Sequence, residues 1–329
     1  MRWGRAMKKF LKQLGLGLVL LTLLLQIIPF LIPVRQGKAI PVEQPFENSH
    51  FFRTSDGVDL HYRTWSSQGE KKGQILMVHG LGGSTFTWRF TSESLAKAGY
   101  FVVAVDLPGF GYSTRVTGMD HSQRQRSQWL WELLDELDQT RAENAGSSWH
   151  LLGHSMGGGT VTSMAMAQPQ QTASLLLADG ALFDNNPSFV GVLLRYPPLS
   201  RGVRVVLERV LLSEERIGDL LASAYGRPLS EEEQSGYAIP LLLPGTMGSL
   251  IDLIKTAKSE PIQTDLIQNI PVLALWGQED SWVPFHETER IAKVLPQIQV
   301  AAIPGAGHCP METHAEEFEG LLLEFLISK

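Results

Sequence analysis

The sequence predicts an α/β protein built on a mostly parallel central sheet flanked by helices, and three observations carry that prediction. Short apolar runs alternate with longer amphipathic stretches, turn residues bound those runs, and the rhythm breaks once, over about residues 181–269. Strands covered on both faces read as continuous apolar runs, and strand–helix alternation implies parallel βαβ units around one sheet.

Residues 1–45 stand apart. Arg2, Arg5, Lys8, Lys9 and Lys12 precede an uncharged, mostly apolar run over residues 14–32. At about 1.5 Å per residue, such a run spans roughly the ~30 Å hydrocarbon core of a bilayer. It is apolar on every face, unlike the one-sided helix of a soluble protein. The basic cluster should stay cytoplasmic, which sends the remainder into the periplasm or another extracytoplasmic space. Two readings stand: an uncleaved signal anchor, giving a single-pass membrane protein, or a cleavable signal peptide with Gly37 and Ala39 before the cut, giving a secreted one. The run exceeds the about 7–15 residues of a signal-peptide core, and Arg35 and Lys38 crowd the cut, which favours the anchor. Pro33, Gly37, Pro41 and Pro45 mark a linker, so the main domain is expected over residues 46–329.

In that domain, strands are expected at 58–65, 75–78 (ILMV), 101–105 (FVVAV), 149–152 (WHLL), 175–178 (LLLA), 272–275 (VLAL) and 300–303 (VAAI). Helices are expected at 87–98, 122–140, 156–167, 286–295 and 312–327. The segment 181–269 carries Leu/Arg-rich helical pieces and several prolines without a βα rhythm.

Composition narrows the function classes. The 329 residues carry 28 Lys and Arg against 34 Asp and Glu, a net charge of −6, which speaks against nucleic acid as a partner. The 1 cysteine, Cys309, excludes an intramolecular disulfide and cysteine-rich zinc sites. No metalloprotease, zinc-deaminase or P-loop motif occurs, so no metal and no cofactor is implied.

The chemistry sits where strands end. Gly153-His154-Ser155-Met156-Gly157 matches G-x-S-x-G between a predicted strand and a predicted helix, the context the motif requires. Such a turn exposes a serine hydroxyl at a helix N-terminus, whose N–H groups point at any oxyanion that forms. A glycine-rich turn without chemistry can show the same letters; the strand–turn–helix context argues against that.

Further segments point the same way. His79-Gly80-Leu81-Gly82-Gly83 follows a strand, and Asp106-Leu107-Pro108-Gly109-Phe110-Gly111-Tyr112-Ser113 gives D-x-x-G-x-G-x-S. Trp276-Gly277-Gln278-Glu279-Asp280 gives a late G-x-x-D, and Gly307-His308 closes the series. Together these resemble the α/β-hydrolase family over about residues 46–329. The resemblance implies an α/β-hydrolase fold with a helical cap insertion at about 181–269, and a triad in the order Ser155, Asp280, His308. Ser155 needs a base; His308 would supply it, and Asp280 would fix its tautomer. Asp280 could instead be a helix N-cap, and Asp179 is a rival acid at the end of its strand. The backbone amides of Leu81 and Met156 would form the oxyanion hole. His79, Asp106 and Cys309 read as structural, while Trp88 and Trp282 suit either core or pocket.

A serine at this position departs from relatives that use an aspartate nucleophile there. An apolar insertion beside a membrane anchor suggests a hydrophobic small-molecule ester, of monoacylglycerol or general carboxylesterase type, with a mobile cap shaping an apolar acyl pocket. The alternatives are a C–C bond hydrolase of ring-cleavage products, which Asp280-Ser281-Trp282-Val283-Pro284 resembles, perhydrolase or thioesterase activity, and an inactive binding protein on the same fold.

Overall fold

The computed structural model describes residues 2–37, 44–141, 147–183, 188–211 and 213–328. The sheet has eight strands: β1 (Ser49–Arg53), β2 (Asp59–Trp65), β3 (Gly73–Val78), β4 (Tyr100–Val105), β5 (Trp149–His154), β6 (Thr172–Ala178), β7 (Val272–Gly277) and β8 (Ile298–Ile303). Their order is β1-β2-β4-β3-β5-β6-β7-β8. β1 and β2 pair antiparallel, as do β2 and β4, and every other pair is parallel. The architecture is the expected α/β-hydrolase fold, with a two-stranded antiparallel edge.

The inner strands β4 and β7 are buried along their whole length, as their unbroken apolar runs demand. The edge strand β1 was not anticipated: SHFFR alternates too weakly in hydrophobicity to register, and its central residues are exposed. Its pairing with β2, from Ser49↔Arg63 to Arg53↔Asp59, makes it a strand.

The helices are α1 (Arg2–Leu31), α2 (Arg89–Lys97), α3 (Gln123–Thr140), α4 (Met156–Ala167), α5 (Ser188–Leu193), α6 (Pro197–Val206), α7 (Glu214–Tyr225), α8 (Glu231–Leu241), α9 (Thr246–Thr256), α10 (Thr264–Ile267), α11 (Glu287–Val294), α12 (Pro310–Thr313) and α13 (Ala315–Ile327). Starts follow side-chain caps: Ser122 accepts from Gln125 N–H, and Ser230 with Glu233 forms a capping box. The single helix expected over 312–327 is two, because His314 leaves helical geometry at φ −131°, ψ 44°.

Helices α5–α10 fill the interval between β6 and β7. One part of this insertion is fixed to the core. The buried Glu312 of α12 accepts from Tyr225 Oη at 2.6 Å, from Tyr237 Oη and from Arg89. Arg89 also lies 3.6 Å from Glu233 of α8. These bonds tie α7 and α8 to the helix that follows His308. Nothing in the local pattern of α7 and α8 announces partners so distant in sequence.

Helix α1 has the length and composition to cross a membrane over Met7–Leu31, and that stretch is exposed all round. It is therefore no core helix of the folded domain; an anchor and a signal sequence share its properties. Its end is bonded to the insertion. Arg201 of α6 donates to the carbonyls of Pro29 at 3.0 Å and Ile32 at 2.7 Å, and Arg204 donates to that of Arg35. Lys38 and Ala39, beside the candidate cut, lie outside the described residues.

Candidate active site

The carboxyl ends of β5, β6, β7 and β8 converge on one edge of the sheet, where open α/β sheets bind ligands. Ser155 stands between β5 and α4 at φ 50°, ψ −119°, backbone that a side chain rarely adopts. Three backbone bonds hold it there: its N–H donates to Ala178 O at 3.0 Å, and its carbonyl accepts from Gly158 at 2.8 Å and Ala181 at 2.9 Å. Such strain persists only where the surroundings over-determine it. Ser155 occupies the N-cap position of α4, yet its hydroxyl makes no cap bond. The first turn of α4, including Met156 N–H, thus keeps donors without intrahelical partners.

Leu81 reaches the same place because its neighbour is glycine. A Cβ on Gly80 would lie 2.9 Å from both Ser155 Cβ and His154 Nδ1. The backbone after β3 can therefore approach the elbow as no bulkier residue would allow. Gly80 thus brings the loop that carries Leu81 against Ser155, and Met156 follows Ser155 in the chain.

His308 sits in the loop after β8, 3% exposed. Its Nδ1 donates to Asp280 Oδ2 at 2.7 Å, while Asp280 Oδ1 accepts from the N–H groups of Trp282 at 2.7 Å and Val283 at 3.0 Å. Asp280 is thus held by its own turn and committed to the imidazole. The His308 ring stacks on Trp282 with centroids 5.4 Å apart. It lies 4.8 Å from the ring of His154, the residue before Ser155. Two of the residues supporting His308 carry no sequence signal for that role. His154 Nε2 donates to the His308 carbonyl at 2.8 Å. Ala224 of the insertion accepts from His308 N–H, also at 2.8 Å, through its backbone.

Asp179, the rival acid, shares the cluster without bonding the imidazole. It is fully buried at φ 46°, and its Oδ1 accepts from Gly277 N–H at 2.9 Å. Its Oδ2 has no hydrogen-bond partner among the described residues. Burial and then the neighbouring Asp280 carboxylate push Asp179 well above the usual carboxylate range, which favours its protonated form. Asp179, Asp280 and His308 are also the described residues that most resemble a metal site, with ligand atoms within 4.8 Å of one another. The 2.7 Å contact between His308 and Asp280 is a hydrogen bond. An ion about 2.0–2.2 Å from each atom in tetrahedral geometry would hold them farther apart.

The other flagged residues separate cleanly. Trp88 is fully buried core. His79 accepts from Leu107 N–H at 2.9 Å and donates to Gly80 O at 2.7 Å, which ties its loop to the one after β4. Burial and then the Glu312 carboxylate push the Cys309 thiol well up, leaving it protonated. A second Ser–His–Asp constellation lies at the sheet's antiparallel edge. Ser49 Oγ is 2.7 Å from His61 Nε2, and His61 Nδ1 donates to Asp106 Oδ2 at 2.6 Å.

The family model described as alpha/beta hydrolase family matches residues 75–321. The chain belongs to that family. Among alpha/beta hydrolases it is 27% identical over 297 residues to a 2-hydroxy-6-oxononadienedioate/2-hydroxy-6-oxononatrienedioate hydrolase of Cupriavidus pinatubonensis, covering 84% of this chain and 95% of that one. Solved alpha/beta hydrolase structures share its fold. A thermophilic esterase from Thermogutta terrifontis aligns at 24% identity over 85% of this chain and 98% of its own, with TM-score 0.65. A membrane phospholipase A described as a bacterial virulence factor aligns at 22% identity over 98% of each chain, with TM-score 0.67. The chain is accordingly a hydrolase.

Proposed function

We propose that this hydrolase is a membrane-attached serine esterase acting on hydrophobic, lipid-like carboxylic esters. The observation that carries the serine mechanism is the buried His308–Asp280 bond at 2.7 Å beside a strained, uncapping Ser155. Ser155 Oγ attacks the ester carbonyl while His308 Nε2 takes its proton, and Asp280 stabilises the imidazolium. The amides of Leu81 and Met156 bind the oxyanion, each donor being worth about 2.7–4 kcal/mol in the transition state. His308 returns the proton to the departing alcohol, and water, activated in turn by His308, releases the acyl group from Ser155.

The domain reading is an anchor and linker at 1–45, a hydrolase domain at 46–329, and a cap at about 181–269. Retention of the anchor is supported by the bonds from Arg201 and Arg204 to residues 29–35, whose loss on cleavage would leave Arg201 without its carbonyl partners and Arg204 with Glu208 alone. The basic N-terminus favours a cytoplasmic end with the hydrolase domain outside. The lipid-like substrate is supported by exposed apolar side chains in the insertion, among them Phe189, Val192 and Leu193. The membrane phospholipase A that shares this fold is consistent with both readings.

The second reading, C–C bond hydrolysis of a ring-cleavage product, is favoured by the relatives named for that activity. A chain-length series of p-nitrophenyl esters, run beside a vinylogous 1,5-diketone acid, separates the two. Each acyl CH₂ that becomes buried contributes about 0.8 kcal/mol, so kcat/KM should climb about fourfold per methylene until the pocket is full. Faster turnover of the diketone acid, with no chain-length trend among the esters, would contradict the ester reading.

A further inference from the structure

Between α6 and α9, away from the triad, lies a cavity of about 230 Å³ whose lining includes Arg195, Arg201, Arg204 and Lys255, with Asp252 as the acid. Arg201 and Arg204 come from α6, and Asp252 and Lys255 from α9, each pair on one helix face. The positive charge is poorly neutralised. Arg201 spends its donors on the neutral carbonyls of Pro29 and Ile32. Arg204 is paired with Glu208 at 2.9 Å. Asp252 accepts from Gly118 N–H at 2.6 Å and from Lys255 at 3.4 Å. Arg195 is exposed and has no partner among the described residues.

Location gives this surplus charge a meaning. The carbonyls that hold Arg201 belong to the end of α1 and the residues just after it, so the cavity lies within one arginine length of the end of that helix. The same stretch of insertion exposes Phe189, Val192, Leu193, Tyr196 and Leu199, side chains that water does not favour and acyl chains do. A cationic hollow flanked by apolar surface at a membrane boundary matches the two halves of a charged lipid.

We infer that the α6–α9 cavity binds the phosphate of an anionic phospholipid, with its acyl chains lying along α1 and the apolar residues of α5 and α6. This rests on the reading of α1 as a membrane anchor. The bound lipid joins anchor, insertion and bilayer, and holds the insertion at a fixed attitude to the membrane. Arg195 and Lys255 are the contacts best placed to engage it, Lys255 giving up only its 3.4 Å contact with Asp252, since Arg201 and Arg204 are also needed to hold residues 29–35.

The test uses the full chain in neutral detergent and non-hydrolysable, ether-linked lipids, with bound lipid counted by native mass spectrometry. One phosphatidylglycerol per chain should be retained, at least about tenfold more strongly than phosphatidylcholine. Arg195→Gln with Lys255→Gln should weaken that retention about tenfold or more, with hydrolysis of a short soluble ester unchanged. Equal retention of both lipids, or undiminished phosphatidylglycerol in the double variant, would overturn the site. Complete displacement by millimolar inorganic phosphate would make it a free-phosphate site and overturn the lipid. The anchor is checked apart from this by carbonate washing of membranes. Release of the chain together with selective lipid retention would sink the anchor and leave the site.

Discussion

Ser155, His308 and Asp280 at the carboxyl edge of the sheet, and Ser49, His61 and Asp106 at its antiparallel edge, are the same three residue types with the same imidazole–carboxylate bond, and at the antiparallel edge the serine is bonded to its imidazole as well. In the first set imidazole and carboxylate are 2.7 Å apart; in the second they are 2.6 Å apart. The serines differ. Ser49 opens the ordinary strand β1, is 5% exposed, and accepts from Phe46 N–H at 3.1 Å. The rings of Phe46, Phe51 and Tyr112 enclose His61. No helix N-terminus faces that hydroxyl among the described residues. Ser155 is half-buried, strained, and set at the start of α4. A relay of hydrogen bonds thus makes a base; accessible substrate space and oxyanion donors make a site. The edge relay is a fastener: Asp106 also accepts from Thr85 N–H at 2.6 Å and Tyr112 N–H at 2.7 Å, gathering β2 and two loops. Burial alone would raise Asp106, but the His61 ring, then His79 and the Tyr112 N–H hold its carboxyl below the usual range.

The largest effect that sharpens this contrast is at the acids. Asp280→Asn should lower kcat by about 10³–10⁴-fold with little change in stability, because His308 loses its orienting partner. At the edge relay the pattern should invert. His61→Ala leaves a buried carboxylate unpaired and should cost about 3–5 kcal/mol of unfolding free energy, with kcat per folded molecule unchanged. Denaturant titration beside active-site counting measures both. A collapse of kcat in folded His61→Ala would break the distinction.

Asp179 gives the smallest effect and a pH signature. Its folded-state carboxyl is raised, so its favourable contribution is present below the unfolded value, near about 3.9, and is lost as pH rises toward the folded one. Asp179→Asn removes that loss while keeping an acceptor for Gly277. Its stability relative to the parent should grow with pH from about 4 upward, and kcat should change by less than about tenfold. Equal thermal shifts at pH 4 and pH 8 would contradict a raised Asp179.

How much of this the sequence could show follows from where the information lies. Ser155 and its flanking glycines were legible because a strained turn needs those residue types side by side. Asp280 and His308 were legible because G-x-x-D and Gly-His follow recognisable strands. The edge relay was not, since Ser49, His61 and Asp106 meet only through strand pairing and Ser49 lies on a strand with little hydrophobic signal. The grip of Ala224 on His308 was equally hidden, because a backbone carbonyl leaves no mark in side-chain identity. It also changes what the insertion is for. Deleting all of it would unseat the histidine, so the acyl selection proposed for it is better probed by substituting Phe189, Val192 and Leu193.

The central claim is that Ser155, alone of the two relay serines, is nucleophilic. Labelling the intact protein with a fluorophosphonate and mapping the adduct by peptide mass spectrometry tests it directly. The adduct should fall on Ser155, vanish in Ser155→Ala together with ester turnover, and persist in Ser49→Ala. An adduct on Ser49, or undiminished labelling of a folded Ser155→Ala protein, would contradict the account.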